Sequence, residues 1–98
     1  MNNIHFKRNF PREAESLIRL LPNTFTSHDF YTLFAMGFPL SYLDWMETYK
    51  DVQKAHNQIS HELRRLSDKG TLNIKHIGDV SDPSIFGIPD KIAQWVKL

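Results

Sequence analysis

The sequence predicts an α+β domain that is mostly helical, and three observations carry that expectation. Apolar residues recur at steps of three and four over several stretches, the period of an amphipathic helix. Gly70 closes the most regular of these stretches, and the pattern beyond it changes to strand, turn and strand. The chain of 98 residues, 41% apolar and 23% charged, has enough apolar material for one core of three or four helices and a small sheet, and too little for two domains. The expected division is a core over residues 11–89, an N-terminal arm over 1–10 and a short terminal helix over 90–98.

Pro11 suits the first turn of a helix, Glu13 and Glu15 complement the positive end of its dipole, and Ala14, Leu17, Ile18 and Leu21 form one stripe that Pro22 stops. Asn23 to Thr26 has room only for a brief strand, after which Ser27 is the expected cap of a second helix through Phe30, Leu33 and Phe34, ended by Gly37 and Pro39. From Leu40 to Tyr49, Leu40, Leu43 and Met46 form one helical stripe and Tyr42, Trp45 and Tyr49 a second beside it. That face is wider than one core contact needs, which makes Tyr42, Trp45, Met46 and Tyr49 candidates for a dimer interface.

The longest helix has the narrowest stripe, formed by Val52, Ala55, Ile59, Leu63 and Leu66. Its other side carries Lys50, Gln53, Lys54, Asn57, Gln58, His61, Arg64 and Arg65, each able to donate a hydrogen bond. Gly70 supplies the left-handed residue that ends the helix. A first strand is expected over 71–77, a turn over 78–84 and a second strand over 85–88, followed by the terminal helix with Ile92, Trp95 and Val96 on one side and Trp95 as a further interface candidate.

The absence of cysteine excludes disulfides, zinc-thiolate sites and thiol nucleophiles. No apolar run is long enough to cross a bilayer, and the N-terminus is polar and basic without a secretory h-region, so a soluble cytoplasmic protein with no membrane partner is expected. His61-Glu62 begins like a zinc-protease helix, but the second histidine is replaced by Arg65. Ser27, His28 and Asp29 are triad residue types, yet as neighbours their side chains diverge, and capping explains them better. His56, His61 and His76 have no carboxylate at ligand spacing, and the four glycines form no phosphate loop. No enzyme activity, metal or cofactor is expected.

The order of elements and the run Ile59-Ser60-His61-Glu62-Leu63-Arg64-Arg65-Leu66-Ser67-Asp68-Lys69-Gly70-Thr71-Leu72 resemble the winged helix-turn-helix superfamily. The run is similar to the end of a recognition helix entering the first strand of a wing. The resemblance implies a three-helix core, an extra helical segment after the second helix and a C-terminal hairpin as the wing. It implies double-stranded DNA as partner, a homodimer reading two half-sites, and a role in transcription regulation. Asn57, Gln58, His61 and Lys54 would then face base edges. Lys50, Arg64 and Arg65, with Lys7 and Arg8 on an N-terminal arm, would face phosphates. Gln53 and Lys75 complete the expected DNA-binding set. Three features point instead to a protein-interaction module on the same scaffold, an adaptor or a small inhibitor of a nucleic-acid-processing complex that does not itself bind DNA. The net charge is only +1, Asp79 and Asp82 stand where the wing tip is expected, and the aromatics exceed what one core contact needs. The small basic excess lies in the second half, with eight Lys/Arg against six Asp/Glu over residues 50–98 and four against five over 1–49.

Overall fold

A computed structural model describes residues 6–83 and 89–98, with side chains over 6–81 and 91–98. The elements are α1 (Phe6–Leu20), β1 (Thr24–Thr26), α2 (Ser27–Gly37), α3 (Pro39–Tyr49), α4 (Val52–Asp68), β2 (Ile74–Pro83) and β3 (Pro89–Lys97). This is a mostly helical α+β arrangement, compatible with a winged-helix layout. Among the described residues three strands form one antiparallel sheet in the order β1-β3-β2.

Helix α1 begins five residues before Pro11, so residues 6–10 are not an arm; residues 1–5 lie outside the described residues. Proline inside the helix removes the amide that would bond the carbonyl of Lys7. Aromatic burial offsets that loss. Phe6 and Phe10 are one turn apart and both buried. Phe10 meets Phe30, Phe34 and Trp45 edge-on at ring separations of 5.9, 5.6 and 5.4 Å, and Phe6 meets Trp45 at 5.1 Å.

The cap of α2 is Thr26 and not Ser27. The Thr26 hydroxyl accepts from the Asp29 amide at 3.2 Å, and the Asp29 carboxylate accepts from the Thr26 amide at 2.9 Å. Displaced one position, Ser27 is buried in the core. Between α3 and α4, Lys50 adopts a left-handed backbone (φ 56°) and Asp51 caps α4 by accepting from the Lys54 amide at 2.9 Å. Helix α4 buries Ala55, His56, Ile59, Leu63 and Leu66. Val52, expected in that stripe, is 36% exposed because it sits at the helix's open N-terminal end. The helix ends in a Schellman motif. With Gly70 at φ 76°, the Thr71 amide bonds the Leu66 carbonyl and the Gly70 amide bonds the Ser67 carbonyl, each at 3.0 Å.

The C-terminal part corrects the sequence expectation most. Residues 78–83, expected as a turn, continue β2, and the expected terminal helix is strand β3, the centre of the sheet. The expected second strand at 85–88 lies outside the described residues. Trp95 pairs with Phe25 on one side and His76 on the other. Ile92 and Trp95 lie three apart and so on opposite faces of a strand, yet both are buried. A central strand covered on both faces loses the alternation that would reveal it. Opposite Trp95 and Gln94, β2 carries a bulge between His76 and Gly78, where Gly78 takes φ 135°.

Candidate nucleic-acid interface

The face of α4 turned from the core is polar along its length. Gln53, Lys54, Asn57, Gln58, His61, Arg64 and Arg65 are all exposed, as is Lys50 at the preceding turn. At 100° per residue, Gln53, Asn57, His61 and Arg64 form one stripe down this face. Three members of the set are engaged within the helix. Gln53 Nε2 donates to Asn57 Oδ1 at 3.4 Å, and Arg65 Nε donates to both Glu62 oxygens at 3.0 and 3.1 Å, with a further bond from Nη2. The hydrogen bond and the charge of Glu62 hold the Arg65 guanidinium above its ordinary pKa. Among the described residues, Lys50, Lys54 and Arg64 have no carboxylate at ion-pair distance.

The hairpin flanks one edge of this face. Between them lies a cleft of about 220 Å³, lined by Asn57, Ser60, His61 and Arg64 from α4 and by His76, Asp79, Ala93 and Trp95 from the sheet. His76 Nε2 and Asp79 Oδ1 stand 3.2 Å apart inside it. Trp95 closes its floor: the indole Nε1 donates to Ser27 Oγ at 3.0 Å, and Ser27 Oγ is 3.2 Å from Ser60 Oγ. One buried hydroxyl thus ties the sheet to the start of α2 and the middle of α4. This fixes the gap between helix and hairpin. Ser67 of α4 adds a second tie, donating to the Ile74 carbonyl at 2.6 Å.

Asn57, His61 and Arg64 are therefore brought together with the hairpin. Lys75 is exposed on β2 but is not among the residues lining the cleft, because His76, its neighbour along the strand, takes the inward position. Asp79 is not at the hairpin tip as expected; it lies within β2 and puts a carboxylate beside the basic helix edge. Asp82 also falls within β2. Ser60, Ala93 and Trp95 were not expected in the site. Only the sheet pairing, which joins residues far apart in the chain, places the last two there.

The aromatic surface expected on α3 is largely consumed by the fold. Trp45 and Trp95 are each 1% exposed and present no surface to a second copy. Tyr42, Met46 and Tyr49 are half-buried. Lys7, expected on an arm, lies over the Trp45 and Tyr49 rings at 5.3 and 5.1 Å and bonds the Tyr49 hydroxyl at 2.6 Å. Tyr42 shares a 2.8 Å hydrogen bond with His56 Nε2, and burial raises the Tyr42 pKa. His56 stacks on Tyr31 at 4.1 Å and receives the Tyr31 hydroxyl on its carbonyl at 2.8 Å. Burial, with repulsion from His28 second, pulls the His56 pKa down to about 4, so this imidazole is a neutral core group.

A larger hollow of about 450 Å³ lies between the ends of α1 and β3, but its charged groups do not converge on it. Glu15 and Arg19 bind each other at 2.8 Å, and Lys97 Nζ reaches the Arg19 carbonyl at 3.5 Å. Among the described residues no three His, Asp or Glu side chains are grouped to hold a metal ion, and no helix is long and apolar enough to cross a membrane. Comparison of the chain with protein-family models, with curated proteins and with solved structures finds no match.

Proposed function

We infer that this protein is a small sequence-specific DNA-binding protein of winged-helix plan, a transcriptional regulator that lays α4 in the major groove and acts as a homodimer. The observation that carries the reading is the α4 face, exposed from Gln53 to Arg65 and bordered by a hairpin held at a fixed distance. An α-helix fits the major groove, where carboxamides pair with adenine and basic side chains pair with guanine or phosphate. The strand order β1-β3-β2, with β1 between the first two helices and the hairpin after the last, supports the winged-helix part. Dimerisation rests on specificity, since one module of this size buries little DNA surface.

A mobility-shift assay with mixed genomic duplex at low salt tests the reading. Retardation that weakens as salt rises is expected. Asn57→Ala and His61→Ala should then weaken binding mainly to a preferred site, whereas Arg64→Ala and Lys54→Ala should weaken binding to all sequences and flatten the salt dependence. No retardation at any salt would sink the proposal. That result would favour a winged-helix module for a protein partner, a second reading supported by the +1 net charge, by Asp79 in the cleft and by the exposed Met36, Leu40 and Leu43.

A further inference from the structure

The chemistry available on the α4 face narrows what it could read. Three of its exposed side chains are carboxamides: Gln53, Asn57 and Gln58. The planar basic groups are drawn off the middle of the face. Arg65 is held by Glu62, and Arg64 ends the stripe, beside Asp79 in the cleft that Asn57 and His61 also line. Lys54 is a flexible point charge, as suited to a phosphate as to a base. Asn57 occupies the middle of the stripe, and its orientation is set by a neighbour. The Gln53 amide donates to Asn57 Oδ1, which leaves both Nδ2 hydrogens and the second lone pair of Oδ1 available to a base. A donor beside an acceptor in one plane is the complement of the adenine N7 and N6 edge in the major groove. Guanine offers two acceptors at the same place and would leave Oδ1 without a donor.

We propose that α4 recognises a half-site centred on an A·T pair, whose adenine is gripped by the Asn57 carboxamide with Gln53 as its positioning residue. This rests on the DNA-binding reading above. The stripe from Gln53 to Arg64 runs about 16 Å, roughly five base-pair steps, so the adenine lies near the middle of the contacted bases and Arg64 reaches the flanking backbone. Gln53 acts through Asn57: shortening it frees the carboxamide to rotate without removing it.

Selection of the intact protein against a library of random duplexes, followed by titration of the selected site, tests the proposal. An invariant adenine is expected in each half-site. Replacing it with 7-deazaadenine, which lacks the N7 acceptor, should cost wild type about tenfold or more in affinity and cost Asn57→Ala nothing. Gln53→Ala should narrow the preference for that adenine while Gln53→Glu, which cannot donate, should narrow it equally. Both positions are exposed, so circular dichroism and thermal melting of the variants should match wild type. Selection of a G·C pair at the position sensitive to Asn57→Ala, or binding without sequence preference, would overturn the inference and leave DNA binding standing. Complete failure to retain duplex at low salt would overturn both.

Discussion

His56 and Ser27 show how much of this fold hangs on single polar groups placed inside it. The folded state holds the His56 imidazole neutral down to about pH 4, whereas the unfolded chain takes up a proton near its ordinary value of 6.5. Between those values the unfolded state binds more protons, so stability is complete above pH 6.5 and falls as pH drops toward 4. The loss is expected to be on the order of 2 kcal/mol, read as a shift in urea midpoint between pH 7.5 and 4.5, and His56→Phe should remove that part of the pH dependence. Ser27 has a different liability. It is the acceptor for the buried Trp95 indole, and Ser27→Ala leaves that N–H without a partner, at an expected cost of about 1–3 kcal/mol in equilibrium unfolding. The sequence showed Ser27 as a capping type, which was right in kind and off by one position. Thr26 and Asp29 complete the capping box, and a serine or a threonine at either position looks equally suitable before the turn is built.

At the level of elements, what could be read from the chain divides by how local the cause is. Helix α4 was legible because five apolar positions share a face and Gly70 stops it. The start of α1 was not, because Pro11 marks a favourable first turn locally and only the contacts of Phe6 and Phe10 with α2 and α3 override it. In β3, Ile92, Trp95 and Val96 repeat the spacing of a helix, and the two flanking strands that decide otherwise lie elsewhere in the chain. The candidate site divides in the same way. Its helix face follows from periodicity, while the cleft exists only once β3 has joined β1 and β2. The two positive-φ glycines among the described residues give a test at this scale. Nothing crowds a side chain at either. Gly70 at φ 76° lies near the left-handed region that asparagine adopts, so Gly70→Asn should cost only a few tenths of a kcal/mol and Gly70→Val about 1–2 kcal/mol. Gly78 at φ 135° lies beyond that region, so Gly78→Asn should cost more than Gly70→Asn when the thermal melts are compared.

As a whole, the molecule measures 36 × 31 × 21 Å, and its longest dimension matches the 34–36 Å that separate successive major-groove faces of a duplex. If the proposed homodimer sets two α4 helices one helical turn apart along that dimension, nuclease footprinting should show protected half-sites with centres about 10 base pairs apart. Three cations, Lys50, Lys54 and Arg64, stand on the α4 face without a paired carboxylate among the described residues. On the proposed DNA-binding reading, the expected slope of log affinity against log salt is thus only about −3 per protomer, and Arg64→Ala should reduce it by about 1.

The position of β3 between β1 and β2 also sets an order of events in time. Thr24, Phe25 and Thr26 find their partners only in Val96, Trp95 and Gln94, so no strand of the sheet can pair with β1 until about seventy further residues have been made. At ordinary rates of synthesis that interval is on the order of 10 seconds. During it the first three helices can pack, while the indole that anchors Ser27 and Ser60 has not yet emerged. The gap between α4 and the hairpin can consequently take shape only after β3 has been made.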